Sequence, residues 1–127
     1  MNIFGIGSDI VNINRIKKSL KKKQFINRIF NSIEIKKCNN QTNKVSCFAK
    51  RFSAKEAFTK ALGTGIAKGI NFNEIIVYNI RSGKPQVKLL GNTKKIVNKI
   101  IKKSKFNIFL SISDDKPFAV ATVVITL

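Results

Sequence analysis

Residues 44–65, with the sequence KVSCFAKRFSAKEAFTKALGTG, contain the longest helical pattern in this chain of 127 residues. Successive helical residues are rotated by about 100°, which divides the apolar side chains of this segment into two nearly opposite stripes. One stripe contains Val45, Ala49 and Phe52, and the other contains Ala54, Ala57, Phe58 and Ala61. A helix that is apolar on two sides packs against neighbours on both. We therefore predict a central helix over residues 44–62, ended by a glycine C-cap at Gly63.

The rest of the chain alternates between short helical and extended patterns separated by turns. Before the central helix we predict a strand over 2–11, a helix capped by Asn12, a helix over 25–36 and a loop over 37–43. After it we predict strands over 74–80 and 85–90 around a turn, a helix over 92–103, and a hairpin of strands 106–113 and 117–125. The pattern predicts one α+β domain over residues 1–127, with a mostly antiparallel sheet packed on the central helix.

The chain is strongly basic, with 25 Lys and Arg residues against 6 Asp and Glu residues and a formal net charge of +19. Such a surface attracts nucleic acid, anionic lipid and acidic proteins equally well. A coding bias towards Lys, Ile and Asn would produce the same excess, so charge alone identifies no partner. Because no run of eighteen apolar residues and no basic leader is present, we expect neither a membrane span nor a signal peptide.

The two cysteines, Cys38 and Cys47, have no histidine or further cysteine with which to form a zinc site. Two thiols also make a poor disulfide framework. We therefore predict that both are reduced structural residues in a cytoplasmic protein.

Acidic side chains are so scarce that few residues can supply a metal ligand or a general base. The complete set is Asp9, Glu34, Glu56, Glu74, Asp114 and Asp115. Since the chain contains no histidine, chemistry of either kind must draw mainly on this set.

Two of these acids, Asp9 and Glu56, allow two interpretations. In the first, Asp9 stabilises the start of the following helix, and Glu56 forms an i,i+4 pair with Lys60 worth about 0.2–0.5 kcal/mol. In the second, the two carboxylates bind one Mg²⁺ ion, which prefers one or two carboxylates together with phosphate oxygens. Cations at positions 51, 55 and 60, with the backbone N–H groups of the 63–65 turn, would then hold further phosphate charge. The residues alone leave both interpretations open.

Four motifs occur in an order that is typical of one enzyme family. They are Gly-Ile-Gly-Ser-Asp-Ile-Val at 5–11, Arg-Phe-Ser-Ala-Lys-Glu-Ala-Phe-Thr-Lys-Ala-Leu-Gly-Thr-Gly at 51–65, Gly-Lys-Pro at 83–85 and Ser-Ile-Ser at 111–113. Together they resemble bacterial holo-(acyl-carrier-protein) synthase, the small class of 4′-phosphopantetheinyl transferases. The fifteen-residue helix motif, placed after the aspartate strand, is the most specific of the four.

The resemblance implies Mg²⁺-dependent transfer of 4′-phosphopantetheine from coenzyme A to a serine of an acidic apo acyl carrier protein. Adenosine 3′,5′-bisphosphate is then released, and the reaction serves fatty acid biosynthesis in the cytoplasm. The serine proton would pass to Glu56 or to a metal-bound water. The resemblance also implies the fold of that family and a homotrimer whose active sites lie between subunits, with residues 83–85 contributed to the neighbouring site.

The resemblance further assigns individual residues to roles. The catalytic residues are Asp9, Glu56 and Lys60, of which Asp9 and Glu56 are the Mg²⁺ ligands. The coenzyme A ligands are Arg51, Lys60, Gly63, Thr64, Gly65, Gly83, Lys84 and Pro85, with Arg51 and the 63–65 turn near the nucleotide end. The carrier-protein contacts are Arg15, Lys22 and Arg28.

Three positions depart from the family pattern. Asp114 stands where the family usually has a histidine, and a carboxylate there would repel a phosphate unless a cation lies between them. Asn12 replaces a common acid, and Ser53 replaces a frequent alanine, a change we expect to be harmless.

Two other functions compete with transfer. A small nucleic-acid-binding protein would explain the charge, but few aromatic residues are interleaved with the basic runs and no standard motif is present. We therefore expect no nucleic-acid partner. A carrier-binding subunit that has lost catalysis through the Asp114 change is the other alternative.

Overall fold

The helices and strands follow the predicted order. The computed structural model describes residues 1–65, 69–103 and 105–127. The strands are β1 (Ile3–Asn12), β2 (Ile75–Asn79), β3 (Pro85–Leu89), β4 (Asn107–Asp115) and β5 (Phe118–Thr126). The helices are α1 (Ile13–Ser19), α2 (Lys23–Ile29), α3 (Ser32–Asn39), α4 (Lys44–Leu62) and α5 (Gly91–Ile101). The predicted α+β architecture is confirmed, and most predicted ends are within one or two residues of the observed ones.

The strands form two antiparallel sheets. In the larger sheet, β5 lies between β1 and β4, and β2 pairs with β3 in a separate hairpin. The inner face of the larger sheet packs against α4, with Ala119, Ala121 and Val123 of β5 fully buried. The central helix is therefore covered by the sheet on one side.

Two glycines let β1 lie directly against α4. A Cβ atom on Gly5 would lie 1.9 Å from the carbonyl oxygen of Ala61, and one on Gly7 would lie 2.1 Å from that of Ala57. No side chain fits such gaps. The sequence pattern of glycines in an apolar strand therefore marks a close approach of two backbones, as predicted.

The other side of α4 packs against the short helices, so the prediction that α4 is apolar on two sides is confirmed. Phe48 and Phe58 are almost completely buried, and the Phe48 ring contacts Phe30 at 4.8 Å between centroids. The helix ends at Gly63, whose φ of 78° allows its N–H to bond to the carbonyl oxygen of Lys60. The predicted glycine C-cap is thus also confirmed.

A buried ion pair between Lys55 and Glu34 ties the short helices to α4. Lys55 Nζ donates to a Glu34 carboxylate oxygen and to the carbonyl oxygens of Ile29 and Phe72, both at 2.8 Å. Burial lowers the pKa of Lys55 to about 8, and the charge of Glu34 opposes this shift. Because Lys55 is fully buried with three acceptors, the interpretation of this lysine as a phosphate-binding cation is wrong.

The predicted helix over 25–36 is in fact two helices. Asn31 begins a capping box, in which its side chain accepts from the N–H of Ile33 at 3.1 Å and its own N–H donates to Glu34 at 3.0 Å. Phe30 has an extended backbone and is buried in the core. The helical spacing of apolar residues continues through this break, whereas the Asn-x-x-Glu cap interrupts it.

The prediction of two reduced cysteines is wrong, because a disulfide joins Cys38 to Cys47. Cys38 lies near the end of α3 and Cys47 lies in the first turns of α4, with 5.4 Å between their Cα atoms. The two helices are joined by a short polar segment that turns the chain back on itself, which brings residues nine apart side by side. A count of thiols could not reveal this proximity.

Among the described residues, no helix combines the length and the apolar character needed to cross a membrane.

Candidate active site

Asp9 and Lys60 join β1 to α4 at the candidate site. Lys60 Nζ donates to Asp9 Oδ1 at 3.2 Å and to the carbonyl oxygen of Ser8 at 3.0 Å. The backbone carbonyl of Asp9 accepts a hydrogen bond from Ser53 Oγ at 3.1 Å. The cap of α1 is Asn12, whose Oδ1 accepts from the N–H of Asn14. The interpretation of Asp9 as the residue that stabilises a helix start is therefore wrong.

Glu56 is half-buried beside Asp9. Burial is the main cause that raises the pKa of Glu56, and repulsion from Asp9 adds to it, whereas Lys60 and Arg15 lower it. Lys60 makes its close ion pair with Asp9. The interpretation of Glu56 and Lys60 as a simple i,i+4 salt bridge is thus not supported, because the lysine reaches across to the strand.

The Asp9 and Glu56 carboxylates suit a divalent cation. Asp9 repels the charged form of Glu56, and a cation bound between the two carboxylates would relieve that repulsion. Among residues 1–65, 69–103 and 105–127, no group of three or more His, Cys, Asp or Glu residues could hold a metal ion. Mg²⁺ commonly needs only one or two protein carboxylates, since water and substrate phosphates complete its octahedron. The donor set therefore fits Mg²⁺ better than it fits zinc, which requires three or four protein ligands.

The 63–65 turn lies one helical turn beyond Lys60 and is open to solvent. Gly63 and Gly65 have positive φ values of 78° and 64°, and apart from chain neighbours no atom of residues 1–65, 69–103 and 105–127 lies within 4 Å of where a Cβ would be on either glycine. Thr64 Oγ1 donates to the carbonyl oxygen of Gly65. Lys60 and this turn together form an exposed, electropositive rim beside the two acids, which suits phosphate oxygens.

Arg51 belongs to a second group of candidate residues. It is buried, Nη1 donates to Cys47 Sγ at 3.2 Å, and Nη2 donates to Asn79 Oδ1 at 3.2 Å. Asn79 Nδ2 donates in turn to the carbonyl oxygen of Gly83 at 2.9 Å. Burial lowers the pKa of Arg51, and the charge of Glu34 opposes this shift. Arg51 is thereby connected to the β2–β3 turn, which leads into Lys84.

The 63–65 turn and Arg51 lie far apart within one chain. Gly63 follows Arg51 by more than three turns of α4, a separation of about 18 Å along the helix axis. Within a single subunit Arg51 and the 63–65 turn are therefore separated, and the expectation that both lie near the nucleotide end of coenzyme A stays a prediction. One group contains Asp9, Glu56, Lys60, Gly63, Thr64 and Gly65, and the other contains Arg51, Gly83, Lys84 and Pro85.

The candidate carrier-binding residues lie near the first group. Lys22 and Arg28 line a groove of about 400 Å³ together with Phe25. Phe25 and Arg28 also line an adjoining apolar groove of about 390 Å³ that reaches Glu56. Arg15, exposed on α1, is close enough to Glu56 to influence its pKa. A basic and partly apolar surface thus runs from α2 to the two carboxylates.

The three departures from the family pattern have structural explanations. Asp114 is paired with Lys50, whose Nζ lies 4.0 Å from Asp114 Oδ1, so a cation does accompany this carboxylate. Asn12 is a helix cap. Ser53 is fully buried, and its hydroxyl donates to the backbone carbonyl of Asp9. An alanine could not make this hydrogen bond, which the expectation of a harmless replacement did not include. No pattern in the sequence signals that contact.

Comparison with known proteins agrees with the fold and the motifs. Residues 5–123 match the model of the 4′-phosphopantetheinyl transferase superfamily. The holo-[acyl-carrier-protein] synthase of Pelagibacter ubique is 52% identical over 125 residues, which cover 98% of each chain. The crystal structure of the holo-[acyl-carrier-protein] synthase of Neisseria meningitidis superposes on this chain with a TM-score of 0.88. The two chains are 34% identical, and the match covers 98% of this chain and 99% of the other.

A structure with a bound nucleotide is similar as well. The Bacillus anthracis holo-(acyl-carrier-protein) synthase in complex with CoA (3′,5′-ADP) has a TM-score of 0.80 and 37% identity, covering 99% of this chain and 98% of the other. Both the family model and the relatives extend over nearly the whole chain. The chain belongs to the 4′-phosphopantetheinyl transferase superfamily, within which it is an enzyme of the holo-[acyl-carrier-protein] synthase type.

Proposed function

We propose that this enzyme transfers 4′-phosphopantetheine from coenzyme A to a serine of an apo acyl carrier protein, with Mg²⁺ as cofactor and adenosine 3′,5′-bisphosphate as the second product. The observation that carries the proposal is the meeting of Asp9 and Glu56, remote in sequence, beside Lys60. The complex of a similar synthase with CoA (3′,5′-ADP) supports the substrate. Family membership supports a cytoplasmic role in fatty acid biosynthesis.

Positioning and charge neutralisation are the main requirements of phosphoryl-type transfer. Asp9 and Glu56 would hold Mg²⁺, which when bound neutralises charge on the pyrophosphate oxygens. Lys60 Nζ, now paired with Asp9, would turn towards the phosphates, and the N–H groups of the 63–65 turn would bind further phosphate oxygens. The serine hydroxyl of the carrier approaches the phosphorus that bears the pantetheine arm, and the bond from that phosphorus to the bisphosphate breaks.

The carrier protein would dock on the surface that extends from Arg15 to Lys22 and Arg28. These three cations suit an acidic partner, and the apolar groove beside Phe25 offers burial for an apolar side chain. Because this groove reaches Glu56, a carrier bound there would present its serine to the proposed metal site.

We further propose a homotrimer whose active sites lie between subunits. The outer face of the β1–β5–β4 sheet supports this assembly, since Ile6, Val124 and Phe109 form one apolar row across it and Ile10 and Val120 extend the patch. Ile6 is 66% exposed and Ile10 is 62% exposed, and such contiguous exposure of large apolar side chains is unusual on the surface of a monomer. Assembly through this face would also allow the Arg51 group of one subunit to complete the Asp9 group of its neighbour.

The direct test is to incubate the protein with coenzyme A, Mg²⁺ and an apo acyl carrier protein, and to measure the carrier by mass spectrometry. One phosphopantetheine should be added, and nothing should be added after chelation of the metal. Asp9→Asn and Glu56→Gln should both abolish the transfer, whereas Asp115→Asn, an exposed acid of the same charge, should leave it intact. Normal transfer by the first two variants, or in the presence of a chelator, would refute the assignment.

A further inference from the structure

The Cys38–Cys47 disulfide lies beside the second group of candidate coenzyme A residues. Cys38 is fully buried and Cys47 nearly so. Residues 39–44, which form most of the segment between them, are polar and exposed. Opening of this segment is therefore the route by which a small thiol would reach the sulfur atoms.

A continuous set of hydrogen bonds leads from the disulfide to the β2–β3 turn. Cys47 Sγ accepts from Arg51 Nη1, Arg51 Nη2 donates to Asn79, and Asn79 donates to the carbonyl oxygen of Gly83. Arg51 Nε is buried and has no hydrogen-bond partner within the described part of the chain. The position of the guanidinium group thus depends on one sulfur atom at one end and one amide oxygen at the other.

We propose that Cys38 and Cys47 form a reversible redox modification site whose state sets the position and the available charge of Arg51, and thereby the affinity for coenzyme A. The inference rests on the proposed function, which assigns Arg51 and the Gly83–Pro85 turn to coenzyme A.

The chemistry is thiol–disulfide exchange with a small thiol. The thiolate of the small thiol attacks one sulfur, the bond between the two cysteine sulfurs breaks, and the other cysteine leaves as a thiolate. A second small thiol then resolves the mixed disulfide. Two electrons pass from two small thiols to the protein, which gives two cysteine thiols and one small-molecule disulfide. A small-molecule disulfide reverses the reaction.

The two states differ in what they offer to Arg51. In the disulfide, Cys47 Sγ is a neutral, weak acceptor, so the guanidinium charge stays available for a phosphate. After reduction the sulfurs separate to non-bonded contact, and a Cys47 thiolate would have the Arg51 guanidinium as its nearest counter-ion. That thiolate pairs with Arg51 and competes with phosphate for it. The oxidised protein should therefore bind coenzyme A more tightly.

The test compares oxidised and reduced full-length protein. Calorimetric titration with coenzyme A should give about tenfold weaker binding after dithiothreitol, as expected for the loss of one charge-assisted hydrogen bond. The KM for coenzyme A should rise, while kcat at saturating coenzyme A and the KM for the carrier protein should stay within about twofold. Oxidised glutathione should restore tight binding, and thiol labelling with mass spectrometry should count zero and two thiols in the two states.

Two variants test whether the redox effect on coenzyme A binding acts through the disulfide and Arg51. Cys38→Ser leaves Cys47 beside Arg51 but cannot form the disulfide. Its affinity for coenzyme A should therefore equal that of the reduced wild type, and neither dithiothreitol nor oxidised glutathione should change it. Asn79→Ala retains the cysteines and removes the other contact of Arg51, so it should weaken binding in both states.

Three results would overturn the inference. They are equal affinity of the two states, failure of oxidised glutathione to close the bond, or loss of the folded circular dichroism spectrum on reduction. Equal affinity with normal transfer would leave the proposed function intact. Absence of coenzyme A binding in both states would instead refute the proposed function.

Discussion

Two lysines five residues apart on α4 have opposite roles. The Lys55 side chain is fully buried and satisfied by three oxygen atoms, whereas that of Lys60 is 54% exposed and bonds to Asp9. A separation of five residues places side chains on different sides of a helix. Lys55 therefore faces the short helices and Lys60 faces β1, so only Lys60 is available to a ligand.

The raised pKa of Glu56 predicts a conflict between stability and function. Folding disfavours the charged form of Glu56, so at neutral pH this residue lowers the free energy of unfolding. This loss of stability decreases as the pH falls through the raised pKa, and it is gone below the ordinary value of 4.5. We expect Glu56→Gln to raise Tm at pH 7 in metal-free buffer and to abolish transfer. The gain should shrink towards pH 4, as measured by calorimetry across pH. A Glu56→Gln variant less stable than the wild type at pH 7 would contradict this account.

The buried pair of Lys55 and Glu34 holds four elements on α4. Besides Lys55, Glu34 accepts from the N–H of Asn31 and from that of Val77 in β2. The pair thus connects α2, α3, β2 and the chain around Phe72 to the central helix. Removal of one partner leaves an uncompensated buried charge.

We predict that Lys55→Met lowers the free energy of unfolding by about 3–5 kcal/mol, because Glu34 loses its counter-ion. Lys60→Met is the matched control on the same helix. The Lys60 side chain is 54% exposed and solvent can replace its contact, so this change should cost much less than the loss of Lys55. Chemical denaturation of both variants checks the prediction, and equal losses would contradict it.

How far the sequence predicts these elements depends on whether the signal is local. The two-sided apolar pattern and the terminal glycine of α4 are local, and they predicted its ends correctly. The break between α2 and α3 at Asn31 was not predicted, because the apolar residues keep helical spacing through it while the capping box starts a new helix there. The meeting of Asp9 with Glu56, the burial of Lys55 and the approach of Cys38 to Cys47 depend on tertiary packing, which spacing along the chain does not contain.

The net charge of +19 affects how the whole molecule meets its partner. A basic surface speeds association with an acidic carrier, and added salt screens this attraction. We predict that Arg28→Glu raises the KM for the carrier severalfold with little change in the KM for coenzyme A. Lys99→Glu, an equal charge change on exposed α5, should have a much smaller effect. Equal effects of the two variants would mean that net charge, and not the surface around Arg28, governs association.

The exposed face of the larger sheet determines the predicted assembly. Light scattering should give three times the 14.2 kDa mass of one chain. Ile6→Lys would place a charge in the apolar patch, so it should produce monomers without transfer activity. Ile33→Lys, which changes an isoleucine of similar exposure on α3, should remain trimeric and active. A monomeric wild type with full activity would end the assembly proposal.

The contact of β1 with α4 has a consequence for tolerance to substitution. At Gly7 the two backbones touch with no side chain between them, so no rotamer change can absorb an added methyl group. Gly7→Ala must push the strand away from the helix, which carries Asp9 away from Glu56. We expect this variant to lose metal-dependent transfer although neither carboxylate is altered, and to bind Mg²⁺ more weakly by calorimetry. Ser8→Ala, a neighbour whose side chain lies on the exposed face, should retain both properties. The spacing of the two acids thus depends on the absence of a Cβ atom at residue 7, so substitution of this glycine alters the site without changing either carboxylate.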